Sequence, residues 1–364
     1  MDSAVKMMKK GVKENVFPGA VLLVSVNSDI VLHEAFGLAD IFSRQKMTKN
    51  TIFDLASLTK PLATTLAILK LVQDGELFLW QNIGSIIKGA AKTDNAGITI
   101  EELLRHRSGL PAHRPFYEKL LKKPWDERDN YLRKLVLKEP LVYNTGTREV
   151  YSDLGFIILS FVVETLSGKC LNCFVKEQFY DLLGLADLFF IENGPDHLID
   201  HHIDNGILQR IACTEDCPWR KRVLKGEVHD DNAWAAGGVE GHAGLFGTAA
   251  DVWVVLMEIM HALQKKETKI IKNDFLKLFV EKKGAGCKLA GFDTPSRPVS
   301  SSGRYFSSSS LGHLGFTGTS FWIDPEKSVI VILFTNRVHP SRDNEKIRKF
   351  RPVIHDAIME RLRL

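Results

Sequence analysis

Ser57 and Lys60 stand three residues apart in the segment FDLASLTKPLATTLAILKLV (53–72), where an apolar helical pattern begins. Residues three apart on a helix share a face, so the Lys60 amine can reach the Ser57 hydroxyl. The positive end of the helix dipole and the apolar neighbours both disfavour an ammonium, and a partly neutral Lys60 can accept the serine proton. The helix start also directs N–H groups at a developing oxyanion. The segment therefore predicts a nucleophilic serine beside its proton acceptor.

The spacing alone does not identify the nucleophile. Three other pairs have it, namely Ser3/Lys6, Ser43/Lys46 and Ser85/Lys88. In the alternative interpretation, Ser57 only caps the helix. We favour Ser57 as the nucleophile because it precedes the strongest apolar helix of the chain, and because Pro61 is tolerated in a first helical turn.

A second candidate element is Tyr151-Ser-Asp153, which comes immediately before an apolar helix ending near Gly168. A positive charge nearby favours the phenolate of a tyrosine, so Tyr151 beside a lysine can relay protons between the serine and a leaving group. The alternative is that Ser152 or Asp153 caps this helix and Tyr151 only packs against its neighbours.

The third candidate element is His313-x-Gly315, on a strand just ahead of the last hairpin. Gly315 would let a substrate approach the backbone closely, and the N–H of Phe316 can donate to an oxyanion. Taken alone, the same pattern fits a strand with a glycine bulge.

The elements around these residues predict an α+β fold. Both chain ends are rich in strands, with hairpins at 20–37 and 319–335, and the middle of the chain is helical. We expect one antiparallel sheet built from both ends and flanked by the terminal helices, with a mainly helical domain inserted. The predicted boundaries are 1–70 with 235–364 for the sheet domain and 71–234 for the insertion. The active site is expected at the seam between them.

Composition excludes several classes of function. The net charge of +4 is the remainder of 48 basic and 44 acidic residues without a long basic run, so we expect no nucleic-acid partner. The N-terminus lacks the apolar core of a signal peptide, and no segment has the length of a membrane span. We therefore expect a cytoplasmic protein with no membrane span.

The five cysteines are an odd number in a long chain, which favours free thiols over a disulfide framework. Two metal sites can be imagined, and we disfavour both because their spacings do not fit a compact ligand set. One would use Cys170, Cys173, Cys213 and Cys217, and the other His197, Asp200, His201, His202 and Asp204. We expect neither a metal nor any other cofactor.

The three elements occur in the order Ser-x-x-Lys, Tyr-x-Asp, His-x-Gly. With this order of motifs, the sequence resembles the serine β-lactamase and penicillin-binding-protein superfamily. The resemblance is to the branch that is similar to class C β-lactamases and the related esterases. The resemblance covers nearly the whole chain. It includes four further stretches: FPGAVLLV (17–24), LLRHRSGLP (103–111), GEVHDDNAWAAGGVEGHAGLFGTAADV (226–252) and LFTNRVHP (333–340).

The resemblance implies that Ser57 is the acylated nucleophile, Lys60 its proton partner and Tyr151 the general base and acid. It also implies an oxyanion hole formed by the N–H groups of Ser57 and Phe316.

Two positions depart from the family pattern. Asp153 replaces the more usual asparagine that contacts the substrate amide. His313 replaces the lysine whose fixed positive charge meets the substrate carboxylate in true β-lactamases, so we expect inefficient penicillin hydrolysis.

The predicted function is a serine hydrolase that forms an acyl-enzyme with a small ester, amide or peptide. The alternatives are a D-alanyl carboxypeptidase or D-aminopeptidase, a weak β-lactamase, and, from another class, a non-enzymatic binding protein. A binding protein would be marked by loss of Ser57, Lys60 or Tyr151, and all three are present. Further residues can either line the cleft or hold loops together, and these are His106, His229, Asp230, His242 and Arg337.

Overall fold

The computed structural model describes residues 1–194, 204–282, 288–296 and 300–362. Within these residues the strands are β1 (Gly19–Val26), β2 (Asp29–Asp40), β3 (Gln45–Lys46), β4 (Phe53–Asp54), β5 (Leu188–Phe190), β6 (Asp216–Cys217), β7 (Arg222–Val223), β8 (Leu245–Gly247), β9 (Leu311–Leu314), β10 (Ser320–Asp324) and β11 (Val329–Thr335).

The helices of the described residues are α1 (Asp2–Lys13), α2 (Thr65–Gln73), α3 (Ile83–Ile86), α4 (Ile100–Leu104), α5 (Tyr117–Leu120), α6 (Arg128–Leu137), α7 (Asp153–Ser167), α8 (Leu171–Val175), α9 (Asp181–Leu183), α10 (Asn205–Arg210), α11 (Asp231–Ala235), α12 (Ala249–Leu263), α13 (Asn273–Val280) and α14 (Ile347–Leu362).

The main sheet takes its strands from both ends of the chain. Its six strands have the order β3-β2-β1-β11-β10-β9, and every neighbouring pair is antiparallel. The first hairpin turns at Asn27 and Ser28, which both have positive φ, as the twist of a two-residue hairpin requires. The predicted α+β fold with a sheet of both chain ends is confirmed, whereas the domain boundaries stay a prediction.

The two faces of this sheet bury different apolar layers. Along β1, Ala20, Leu22 and Val24 join a cluster with the terminal helices α1 and α14. Val21 and Leu23 point to the other face and join the large core that includes α2, α7 and α12. Side chains alternate across a strand, so both faces of a strand that is buried on both sides must be apolar. The sheet is therefore the middle layer of the fold.

The helix after Ser57 does not begin as the apolar pattern predicts. Ala56–Leu58 form one 3₁₀ turn and Lys60–Thr64 form a π-helical turn, and the regular helix α2 begins only at Thr65. Pro61 has no N–H to donate, which favours a departure from α-helical hydrogen bonding in this turn. The C-terminal end of α2 is followed by Gly75, which has the positive φ (80°) that favours a glycine just beyond a helix.

A helix that crosses a membrane needs sufficient length and hydropathy. No single helix of the described residues meets both criteria, and by these two criteria alone the bent pair Asp153–Ser167 with Leu171–Leu183 does. Residues 154–163 of α7 are buried in the core.

The prediction of free thiols is wrong for one cysteine pair. Cys170 and Cys173 form a disulfide at the start of α8, where one helical turn brings their Cα atoms to 5.3 Å, within the range that a disulfide spans. Cys213 and Cys217 are buried free thiols, as expected.

Replacement of Leu22 by alanine tests the sheet's position as the middle layer. Because Leu22 is fully buried against the terminal helices, Leu22→Ala should lower the free energy of unfolding by about 2–5 kcal/mol. The control is Val31→Ala on β2, where the side chain is 44% exposed and the expected loss is below about 1 kcal/mol. Urea unfolding of both variants measures the difference, and equal losses would contradict the layer assignment.

Candidate active site

Ser57 lies on the short 3₁₀ turn between β4 and α2, and its side chain caps neither this turn nor the π-helical turn that follows. The turn is shaped by Asp54, whose carboxylate accepts the N–H of Ala56 (2.8 Å) and the N–H of His229 (2.7 Å). Ala56 has a positive φ of 48°, an unfavourable conformation for a residue with a side chain. The capping interpretation of Ser57 is therefore wrong, and the strained turn leaves its hydroxyl beside Lys60.

Lys60 is fully buried and points its amine at three oxygen atoms. Nζ donates to Ser57 Oγ (3.1 Å), to Asp153 Oδ1 (2.7 Å) and to the carbonyl of His242 (3.1 Å). Burial is the largest single effect on the pKa of Lys60 and lowers it, but the negative charge of Asp153, the effect of Tyr151 and the hydrogen bonds to both together outweigh burial, and the net shift is upward. The prediction of a partly neutral Lys60 is therefore wrong, because a carboxylate lies against its amine and keeps it an ammonium.

Tyr151 and Asp153 reach the same site from the start of α7. Ser152 caps this helix by accepting the N–H of Gly155, which leaves Asp153 free to face Lys60. The Tyr151 hydroxyl interacts with both the Ser57 and the Lys60 side chains, and Lys60 Nζ is 4.9 Å from the centre of its ring. Burial raises the pKa of Tyr151 to about 12, against the opposing effect of Lys60. The expected preference for the phenolate is thus outweighed by burial, and Tyr151 is a neutral phenol at rest.

The carboxyl group of Asp153 is ionised. Burial raises its pKa, but the charge of Lys60, together with His113 and His242, lowers it well below the ordinary value. Lys60 and Asp153 consequently form an ion pair at the bottom of the site.

His106 packs against the ring of Tyr151 and bonds to the backbone next to it. Its ring lies 4.5 Å from the Tyr151 ring, centre to centre, and its Nδ1 accepts the N–H of Ser152 (3.0 Å). Burial lowers the pKa of His106 well below its usual value, with Lys288 and Lys60 adding to the effect. A neutral His106 therefore holds the backbone that carries Tyr151.

The strand β9 forms the opposite wall of the site. His313 is buried, its ring centre is 6.1 Å from that of Tyr151, and its Nδ1 donates to the Leu314 carbonyl (3.0 Å). Burial lowers the pKa of His313 to about 4, against the opposing effect of Asp293. His313 therefore carries no charge at neutral pH, as the sequence suggested. The Phe316 side chain at the end of this wall is half exposed.

At Gly315 the backbone of the chain approaches other parts of the protein closely. A Cβ at Gly315 would lie 2.0 Å from Thr319 Oγ1 and 2.6 Å from the carbonyl oxygen of Leu55. Thr319 Oγ1 donates to that Leu55 carbonyl (3.1 Å), and Thr317 Oγ1 donates to the carbonyl of Asp54 (2.7 Å). The end of β9 is thus tied to the turn that carries Ser57, and this packing requires a glycine at position 315. The expectation that Gly315 also lets a substrate approach the backbone stays a prediction.

His229, Asp230 and His242 hold neighbouring segments in place. His229 stacks on Phe316, with 5.6 Å between ring centres, and its Nε2 is 3.2 Å from a carboxylate oxygen of Glu215. His242 Nε2 is 3.0 Å from Asp230 Oδ1. Arg337 holds Phe316 in place. Its guanidinium donates to the Phe316 carbonyl, and its Cζ lies 4.5 Å from the centre of the Phe316 ring.

Sequence reasoning missed His113 at the mouth of the site. Its Nδ1 is 3.7 Å from Asp153 Oδ2, and its side chain is 49% exposed. Asp54 was missed as well. His113 belongs to no motif with a fixed spacing to Ser57, so the local sequence carried no signal for it. Asp54 lies three residues before Ser57, and an aspartate that accepts the N–H two residues on is a local turn signal that could have found it.

No group of three or more His, Cys, Asp or Glu side chains suited to a metal ion occurs in the part of the chain that the structure describes. Of the imagined histidine site, His197, Asp200, His201 and His202 lie outside the described residues, and Asp204 caps α10. The imagined four-cysteine site is contradicted by the disulfide between Cys170 and Cys173.

Comparison with known proteins identifies the family. Residues 4–353 match the model of the family described as Beta-lactamase. The chain belongs to this family. It is 32% identical to an N-acetylmuramyl-L-alanine amidase of Bacillus subtilis (strain 168), over 89% of this chain and 78% of that protein. It is 28% identical to a putative D-alanyl-D-alanine carboxypeptidase of Escherichia coli (strain K12), over 91% and 81%.

Solved structures agree with the family in their fold. EstCE1, a hydrolase with promiscuous acyltransferase activity, superposes with a TM-score of 0.71 at 19% identity, over 96% of this chain and 98% of EstCE1. The octameric penicillin-binding protein homologue from Pyrococcus abyssi superposes with a TM-score of 0.73 at 18% identity, over 99% of this chain and 77% of the homologue. The predicted family resemblance is confirmed, and the chain is a hydrolase of the serine β-lactamase-related kind.

Replacement of Gly315 by alanine tests the tie between β9 and the serine turn. The new Cβ must displace the strand from Leu55, so Gly315→Ala should lower kcat for a simple ester by at least about tenfold, since small misplacements at a reacting centre are costly. Gly97→Ala is the control, because Gly97 is exposed and a Cβ added there would meet no atom within 4 Å. Full activity of Gly315→Ala would contradict the proposed coupling.

Proposed function

We propose that the protein hydrolyses small esters or amides through an acyl-enzyme on Ser57. The observation that carries this proposal is the meeting of a hydroxyl, an ammonium and a phenol from distant segments, with Lys60 Nζ 3.1 Å from Ser57 Oγ and 4.9 Å from the centre of the Tyr151 ring. This grouping has the geometry of an activated nucleophile with its proton acceptor. The names of the relatives, an amidase and a putative carboxypeptidase, support amides and peptides as substrates.

The general base in this proposal is Tyr151 in its phenolate form. Lys60 stays an ammonium and has no lone pair for the serine proton. With a pKa of about 12, about one Tyr151 in 10⁵ is ionised at pH 7, but a base with a high pKa drives proton transfer strongly. The Lys60 ammonium stabilises the phenolate through its charge. Tyr151 takes the proton of Ser57 as Oγ attacks the carbonyl carbon, and it then gives that proton to the leaving group.

The second half of the reaction reverses these roles. After the leaving group departs, water enters beside the ester of Ser57 and gives its proton to the Tyr151 phenolate. The hydroxide oxygen bonds to the acyl carbon, the bond to Oγ breaks, and the proton on Tyr151 returns to Ser57. The ion pair of Lys60 and Asp153 keeps its protons throughout this cycle.

The proposed oxyanion hole consists of the N–H groups of Ser57 and Phe316. Among the described residues, neither N–H makes a hydrogen bond, so both can donate to a substrate oxygen. The carbonyl of Gly315 lies 3.4 Å from a donor nitrogen of the buried Arg351, on the opposite edge of the peptide from the Phe316 N–H. Because a trans peptide is planar, holding this carbonyl also orients the N–H. Arg337 fixes the next carbonyl, that of Phe316.

His313 supports an esterase or amidase activity over efficient penicillin hydrolysis. A buried imidazole with a pKa of about 4 is neutral at pH 7, so it provides no fixed charge for a substrate carboxylate. We expect β-lactams to be hydrolysed slowly.

The nucleophile is tested with Ser57→Ala and p-nitrophenyl butyrate. The variant should lose at least about 10³-fold in kcat/KM and keep its melting temperature, because the partly exposed Ser57 hydroxyl contributes little to stability. Ser85→Ala, at a second Ser-x-x-Lys pair, is the matched control and should keep full activity. A fluorophosphonate probe should label Ser57. Labelling at another serine, or unchanged turnover of Ser57→Ala, would exclude the assignment.

The general base is tested by the pH dependence of kcat/KM for the same neutral ester. The active form is the phenolate, and the pKa of Tyr151 is raised to about 12. The active fraction, and with it kcat/KM, should therefore rise about tenfold per pH unit between pH 6 and 9 without a plateau. Ser57→Ala supplies the background rate at each pH. A plateau that begins below pH 8 would show that another group, or a strongly acidified Tyr151, is the base.

A further inference from the structure

The carboxylate of Asp153 lies within reach of whatever is bonded to Ser57. Lys60 Nζ is 2.7 Å from Asp153 Oδ1 and 3.1 Å from Ser57 Oγ, so this carboxylate oxygen lies within about 6 Å of the nucleophile. The Asp153 side chain is 19% exposed, whereas that of Lys60 is fully buried. Asp153 is therefore the member of the ion pair that a substrate can touch.

The second oxygen of Asp153 faces the mouth of the site. Oδ2 is 3.7 Å from Nδ1 of His113, a distance at which charges attract but which is too long for a hydrogen bond. The backbone of this loop is fixed, because the N–H of Asp153 donates to the Ala112 carbonyl (2.9 Å) and Ser152 Oγ to the Pro111 carbonyl (2.7 Å). The half-exposed imidazole can rotate away while the loop stays in place, which leaves Oδ2 open to a ligand.

The mouth of the site attracts positive charge. The pKa of His113 is raised above its usual value, first by its interaction with Asp153 and then by the charges of Asp230 and Asp231, against the effect of burial. The positive side chains near the mouth already have partners within the protein. Arg220 and Arg342 pair with Asp231, and Lys60 donates to its three acceptors. A cation that enters from solvent is thus favoured at the place where His113 now lies.

We infer that Asp153 binds the α-ammonium group of the substrate, so that the preferred acyl donors are esters and amides of α-amino acids with a free amine. This inference rests on the proposed function of Ser57. In an acyl-enzyme, the α-nitrogen is separated from Oγ by only the carbonyl carbon and the α-carbon, so it lies near the Asp153 carboxylate, of which Oδ1 is within about 6 Å of Oγ. The ammonium displaces His113 and pairs with Asp153 Oδ2, while Oδ1 keeps its bond to Lys60.

Binding of such a substrate also assists the proposed base. In the free protein the charge of Asp153 adds to the high pKa of Tyr151. A substrate ammonium partly neutralises that charge and brings a positive charge toward the phenol, and both effects favour the phenolate. Amine-bearing substrates should therefore gain in the chemical step as well as in binding.

The test compares three benzyl esters that differ at one position, with release of benzyl alcohol as the readout. They are alanine benzyl ester, as both enantiomers, its N-acetyl derivative and propionic acid benzyl ester. At pH 7 the free amine is largely protonated. The protein should have a kcat/KM at least about tenfold higher for one enantiomer of the alanine ester than for the other two compounds. Equal values would overturn the inference without any variant.

Asp153→Asn supplies the second arm of the test, because asparagine has nearly the same shape and no charge. The preference for the free amine should fall at least about tenfold, with kcat/KM for the propionic ester falling less than that for the alanine ester. Asp153→Glu should restore part of the preference. The matched control is Asp129→Asn, which removes an acid whose carboxylate pairs with Arg133 on α6 and should keep the full preference.

A proportional loss on all three esters would show that Asp153 has only a structural role, and a preference retained in Asp153→Asn would overturn the inference as well. The failure of the proposed function has a different signature, since Ser57→Ala would then hydrolyse the esters at the same rate as the unmodified protein.

Discussion

The ion pair between Lys60 and Asp153 is the constraint on which the site depends. It joins the turn after β4 to the start of α7 across 93 positions of sequence, with a distance of 2.7 Å between Nζ and Oδ1. Removing a buried lysine from water is costly unless a charge and hydrogen bonds compensate, and Asp153 provides the charge. Because the pair is neutral as a whole, it leaves Tyr151 as a phenol at rest and leaves the ammonium to stabilise the phenolate when it forms.

The fold serves this pair by bringing three distant segments together. The sheet places β9 beside the serine turn, where the glycine at 315 permits contact with the Leu55 carbonyl. The apolar helix α7 is buried along most of its length, so its first residues cannot move independently of the core. A site built on rigid elements can keep a hydroxyl, an ammonium and a phenol within hydrogen-bonding distance, as acyl transfer requires.

Much of this arrangement could be predicted from the sequence, since each motif residue has a local pattern around it. The order Ser-x-x-Lys, Tyr-x-Asp, His-x-Gly indicated the family, and the strand-rich ends indicated the sheet. The charge states of Lys60 and Tyr151 could not be predicted. Helix position and apolar neighbours argued for a neutral Lys60, whereas the pKa follows from the orientation of one carboxylate 93 residues away. His113 was missed for the same reason, because its contact with Asp153 arises only in the folded chain.

The protonation state of Tyr151 tests the central claim most directly. In protein labelled with ¹³Cζ-tyrosine, the six tyrosines give separate signals, and loss of one in Tyr151→Phe identifies position 151. The account predicts that this signal keeps the chemical shift of a phenol up to at least pH 10, consistent with the pKa of about 12, and begins to titrate at lower pH in Asp153→Asn. A phenolate shift at neutral pH in the unmodified protein would contradict it.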